Sequence, residues 1–188
     1  MDAFEYVVVL TSLILGLGIA QILTSLADIL SNIRQVKLCL PHSFLTITVF
    51  LLHIQEWWIN YQYSHEISVW RLPIVLSILI YPILLFILAR MLFPTGIRGH
   101  ETNLEDYYYD QWPWFFGIAL GTLAISIWQN LFIQGLPLLN SWPQLVFGVI
   151  YGLFFLFRIK HRLLHNLVQG IWLLGLIIYM VTDHTTIE

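Results

Sequence analysis

"WRLPIVLSILIYPILLFILARMLF", Trp70 to Phe93, decides the fold. From Leu72 to Ala89 it carries no charged side chain. A helix needs about 20 mainly apolar residues to cross a bilayer core of roughly 30 Å, and this stretch supplies them. Backbone polar groups in hydrocarbon must be satisfied within the segment, so a helix is expected. The ten-residue alternation of a transmembrane β-barrel is absent. Pro73 falls in the first turn, where a missing N–H costs little. Pro82 falls mid-span and is expected to kink the helix.

Five further stretches read the same way. They run from about Phe4 to Leu30, Leu40 to Tyr61, Trp112 to Ile133, Trp142 to Phe157 and Leu163 to Thr182. The expected fold is all-α: one transmembrane domain over residues 1–188, a polytopic bundle of six membrane helices. Pro41 and Pro143 open the second and fifth spans, a favoured place for proline. Trp57, Trp58, Trp70, Trp112, Trp114 and Trp142 fall near span ends, as an interfacial aromatic belt requires.

Composition agrees. Apolar residues make up 59% of the chain and charged residues 10%, against roughly 45–50% and about 25% in soluble domains. A net charge of −3 gives no argument for a nucleic-acid partner. The single cysteine, Cys39, allows no intramolecular disulfide and no cysteine metal cluster. The start MDAFEY lacks Lys and Arg, so a cleaved signal peptide is not expected and Met1 is read as part of the mature chain.

Basic residues set the expected orientation. Arg34, Lys37, Arg90, Arg98, Arg158, Lys160 and Arg162 fall on one side of the six spans, and Arg71 alone falls on the other. The positive-inside rule makes the first side cytoplasmic and puts both termini outside, in the cell's inner membrane. The longest connection, about Pro94 to Gln111, is then cytoplasmic. Within "TGIRGHETNLEDYYYDQWPWFF" (95–116), Thr102 or Asn103 suits a helix N-cap, with Glu105 near the first turn. Tyr107, Tyr108, Tyr109, Trp112 and Trp114 suit a short interfacial helix before the fourth span. Arg158, Lys160 and Arg162 suit anionic lipid headgroups, and His161 and His165 read as cap residues beside them.

Three spans followed by three would invert the second half, the plan of many transporters. Gly16 with Ala20, and Gly117 with Gly121, form small-xxx-small pairs that let helices approach closely, within the chain or in a homo-oligomer.

The chemistry rests on polar residues inside the spans. In "LLHIQEWWINY" (51–61), His53 and Glu56 interrupt an oily run. Thr46, His53 and Asn60 are seven apart and Glu56 is three beyond His53, so all share one helix face. A charge facing lipid costs about 2.5–3.5 kcal/mol or more, so this face is expected to point into the bundle. Matching polar residues are Thr11, Gly18, Gln21, Ser25 and Asp28 in the first span, and Ser77 and Tyr81 in the third. The fourth span offers Thr122, Ser126, Gln129 and Asn130; the sixth offers Gln169, Trp172, Tyr179 and Asp183. Glu56, His53, Asn60, Gln21, Asp28, Tyr81 and Gln129 are the candidate proton-, ion- or substrate-binding residues. Ser, Thr, Gln and Asn also serve as interhelical hydrogen-bond glue, worth about 0.6–2 kcal/mol each.

Other chemistries find no footing. Haem held by two histidines needs both at one depth, and only His53 is deep. No zinc-protease, serine-hydrolase, phosphate-loop or dinucleotide motif appears. No catalytic residue, metal ligand or cofactor is assigned, and an enzyme is the least favoured class. The leading reading is movement of a proton, ion or small solute through the bundle. The rival is a non-transporting scaffold, sensor or effector subunit whose polar core fixes packing.

Overall fold

The computed structural model describes residues 3–67, 69–95 and 101–183, with the side chains of residues 3, 62, 64–66 and 183 left aside. Arg98, and the side chains of His65 and Asp183, therefore lie outside the described residues. Among the described residues the fold is all-helical apart from one short strand pair. Its helices are α1 (Ala3–Ser31), α2 (Leu40–Glu66), α3 (Leu72–Met91), α4 (Leu104–Phe132), α5 (Trp142–Phe157) and α6 (Arg162–Asp183). Five of them, all but α2, are long and apolar enough to cross a membrane.

α2 is the exception because its polar residues lower its hydropathy, yet its surface is the most telling. Leu40, Ile47, Ile54, Trp57 and Tyr61 are exposed, while His42, Thr46, His53, Glu56 and Asn60 are buried. A helix in water does the reverse. Apolar residues outward and polar residues inward suit a helix whose outer face meets lipid. The other helices likewise expose large apolar side chains, among them Leu13, Val149 and Leu174. This is a membrane protein by its surface as well as by its composition.

The helices close a ring in the order α1, α3, α4, α5, α6, α2, and α2 also touches α3 and α4 across it. α1 lies along α3, whereas α4 lies along α5. The two halves therefore pair differently, and this packing does not repeat as an inverted duplication would. Pro82 does not interrupt α3, nor Pro113 α4. Proline is tolerated in membrane helices because neighbouring groups satisfy the carbonyl it leaves free.

One end of the ring is tied by side chains. β1 (Val36–Lys37) and β2 (Thr102–Asn103) pair in parallel, joining the connection after α1 to that before α4. Asn103 caps α4, its Oδ1 accepting from the backbone N–H of Glu105 at 3.0 Å. Glu105 receives Lys37 at 2.7 Å and Arg162 at 2.8 Å. Three connections thus meet at one carboxylate. Tyr107 donates to the Met91 carbonyl, closing α3 onto the same end. At the opposite end Phe4 meets Trp70, and Val7, Tyr63 and Ile78 form a second small core.

Two expectations need correction. No separate interfacial helix precedes α4 among the described residues: one unbroken helix of 29 residues starts at Leu104. Its first turns do not lie flat on an interface, because Tyr108 and Trp112 are fully buried against other helices. Trp112 is accordingly core, not belt, whereas Trp57, Trp114 and Trp142 are exposed as a belt requires.

Candidate functional site

The α2 stripe forms one buried face. Thr46, His53, Glu56 and Asn60 are each at most 4% exposed. The helix satisfies part of this face from its own backbone. Thr46 Oγ1 donates to the His42 carbonyl at 2.9 Å, and the Asn60 amide donates to the Glu56 carbonyl at 2.8 Å. Both bonds run one turn back and use the carbonyl's second lone pair.

His53 is oriented the same way. Its Nδ1 lies 2.7 Å from the Val49 carbonyl, and a carbonyl can only accept. Nδ1 therefore carries the proton, and in the neutral ring Nε2 is left as an acceptor. Nε2 is buried with no partner. It lies on the backbone of Gly18 in α1, so closely that a β-carbon there would collide with it. Glycine is required at position 18 by close approach, not by backbone conformation.

Glu56 lies one turn further along α2. Its Oε1 is also buried without a hydrogen-bond partner, and no described basic side chain forms a salt bridge with it. Tyr81 of α3 lies within electrostatic reach of both Glu56 and Tyr179 of α6. A buried polar atom without a partner costs about 1–3 kcal/mol, more when charged. Two such atoms on titratable side chains one turn apart are an exception to normal packing, where buried polar atoms are paired.

The remaining candidates divide. Gln129 is buried and donates to the Ser77 carbonyl at 3.0 Å, tying α4 to α3 one turn before Tyr81. That is the hydrogen-bond glue expected of amides. Gln21 is half-buried and donates to Ser25 in its own helix at 3.1 Å. Asp28 is ten residues beyond Gly18, about 15 Å along the axis at 1.5 Å per residue, and does not join His53. The structure brings together His53, Glu56, Asn60 and Tyr81, with Gln129 bracing them.

A second buried polar group escaped the sequence reading. His165, read as a cap residue, is fully buried in α6. The rings of Tyr108, Tyr109, Trp112, Phe116 and Phe154 surround it at centroid distances of 5.1–5.5 Å. Its Nε2 meets the Ile159 carbonyl at 2.8 Å and its Nδ1 meets the Tyr108 hydroxyl at 2.9 Å. Tyr151 of α5 donates to Gln169 of α6 at 3.2 Å nearby. The available signal was spacing: His165, Gln169 and Trp172 share one face of α6, opposite Tyr108 and Trp112 of α4.

Among the basic residues read as lipid contacts, Arg162 is held by Glu105 and Arg158 lies over the Phe155 ring at 5.7 Å. Lys160 is exposed. Among the described residues no three His, Cys, Asp or Glu side chains gather as metal ligands. No protein-family model matches this chain, and no curated protein or solved structure matches it.

Proposed function

We propose that this chain moves a proton, ion or small solute through a six-span bundle in the cell's inner membrane, with His53 and Glu56 as the coupling or binding pair. α2 counts as the sixth span, since α1, α3, α4 and α6 cover its polar face. The observation that carries the reading is the pair of buried, unpartnered titratable atoms, His53 Nε2 and Glu56 Oε1. A buried lone pair that no protein donor occupies is open to a proton or a cation. Tyr81 and Asn60 line the same place; Gln21 and Asp28 lie apart from it along α1 and would act only as outlying polar residues of the route. In this reading the tied end near Lys37, Glu105 and Arg162 is cytoplasmic and both termini are outside. Lys160 and its basic neighbours meet anionic headgroups there.

A scaffold, sensor or effector subunit is the second reading, and a specific observation favours it. The cleft of about 250 Å³ between α1 and α2 is lined by Ile22, His42 and Thr46, among others, and does not include His53 or Glu56. The experiment is ion or proton flux in reconstituted vesicles at equal protein content. Glu56→Gln keeps size and hydrogen bonding but cannot release a proton. Transport predicts at least a tenfold loss of flux with melting unchanged. Equal flux at every pH, or no flux in the parent, moves the reading to the scaffold.

A further inference from the structure

The cleft between α1 and α2 lies toward the tied end and asks for an occupant of its own. Leu26 and Ile29 line it from α1, Ile47 and Phe50 from α2, and Leu38 from their connection. It opens toward lipid, because Leu23, Leu38 and Ile47 on its rim are each about half exposed. Three lining residues are polar, yet each is already engaged with backbone. His42 Nε2 lies 2.7 Å from the Leu92 carbonyl. The Ser43 hydroxyl donates to the Cys39 carbonyl and that of Thr46 to the His42 carbonyl. These side chains offer no free donor, and the rest of the lining is Ile, Leu and Phe, which suits hydrocarbon.

Size narrows it further. A cleft of about 250 Å³ falls below the roughly 300–1,000 Å³ of sites for drug-sized ligands. A helix from another copy, about 10–12 Å across with its side chains, does not enter it. Part of a single extended chain does, the remainder lying along the open side. The connection that closes the cleft at the tied end carries Arg34 and Lys37, both exposed. Lys37 is shared with Glu105, and Arg34 is the other exposed cation on that connection. Hydrocarbon wall and basic rim together match one kind of molecule.

We propose that this cleft holds one acyl chain of an anionic phospholipid, with the lipid phosphate against Arg34. The proposal rests on the membrane reading but not on transport, and it is a site apart from Arg158, Lys160 and Arg162. In the test, the full chain in mild detergent is offered equal phosphatidylglycerol and phosphatidylcholine, and bound lipid is counted by native mass spectrometry. The parent is expected to retain one phosphatidylglycerol in preference to phosphatidylcholine. Ile47→Trp and Leu23→Trp fill the cleft from its exposed rim, where the core is undisturbed, and each should cut occupancy about tenfold with circular dichroism unchanged. Arg34→Gln should reduce the preference for phosphatidylglycerol about fivefold, the worth of one basic residue at a membrane surface. Undiminished occupancy in either folded filler variant overturns the site. Equal retention of both lipids by the parent overturns the headgroup assignment. Failure of the parent to partition into membranes at all would overturn the underlying membrane reading instead, and loss of flux with lipid retained would touch only the transport proposal.

Discussion

Of the three buried histidines among the described residues, His53 and His165 are the two fully enclosed, and they differ in one respect. His165 has both ring nitrogens engaged, one with the Tyr108 hydroxyl and one with the Ile159 carbonyl, inside a ring of aromatics. His53 has one nitrogen engaged, with its own helix, and the other resting unpartnered on Gly18. Both are fully buried, so burial does not distinguish them; the count of partners does. A satisfied imidazole fixes the position of three helices. A half-satisfied one keeps a lone pair for something else. The aromatic side is not fully satisfied either, since Gln169 Nε2 and Trp112 Nε1 lack partners. Those are neutral donors, however, whereas the α2 side leaves a carboxyl oxygen and an imidazole nitrogen.

The sharpest way to break this contrast is to change each histidine to glutamine. His53→Gln is expected to alter the pH profile of flux while leaving the melting temperature nearly unchanged, since no partner is lost at Nε2. His165→Gln is expected to lower stability by about 1–3 kcal/mol, because it disturbs one buried and one partly buried hydrogen bond, and to leave the pH profile of the folded fraction as in the parent. Thermal melts and vesicle flux on the same preparations decide it. Identical pH profiles for His53→Gln and the parent would remove the basis for treating the two histidines differently.

The next effect tests the contact that holds His53. Gly18→Ala places a β-carbon against Nε2, and overpacking of this kind costs about 1–3 kcal/mol. Adding His53→Ala should recover most of that loss. The double-variant cycle is then expected to give a coupling within the range of about 0.5–3 kcal/mol seen for residues in contact. Additive losses would mean that the ring is not seated on the glycine.

These two sites were not equally legible in the sequence. The α2 face could be read because its cause is local: residues spaced by seven and three lie on one side of one helix, and lipid penalises the opposite choice. Helix α5 was legible for the same reason, with Pro143 in its first turn and basic residues beyond Phe157. The aromatic cage was not legible. Tyr108 and His165 are 57 residues apart, and "DYYYDQWPWFF" has the composition of an interface helix whether or not its rings find partners. Only the packing of α4 against α5 and α6 turned Tyr108 and Trp112 inward. The free Nε2 of His53 was equally hidden, since it depends on a glycine 35 positions earlier.

The smallest effect lies at the tied end, and its pH dependence has a definite sign. α4 is about 43 Å long at 1.5 Å per residue, more than a bilayer core needs, so its first turn with Glu105 projects beyond the hydrocarbon. The hydrogen bond from Lys37 holds the Glu105 carboxyl below its ordinary range, with Arg162 adding attraction. The same bond holds Lys37 above its ordinary range. A depressed carboxyl contributes stability that is present above its unfolded value and is lost as pH falls through the folded one. A raised lysine contributes stability that is present below its unfolded value and is lost as pH rises through the folded one. The tie is therefore whole between about pH 5 and pH 10 and weakens beyond either edge. Glu105 is 15% exposed but its partners are largely open to solvent, so salt should weaken the tie as well. Glu105→Gln is expected to lower the melting temperature slightly at neutral pH and low salt. It should also flatten the drop that the parent shows on acidification below pH 5. Melting curves of both proteins across pH 3–7, at low and high salt, measure this. A parent curve that falls no more steeply on acidification than that of Glu105→Gln would mean that the strand pair alone joins these connections.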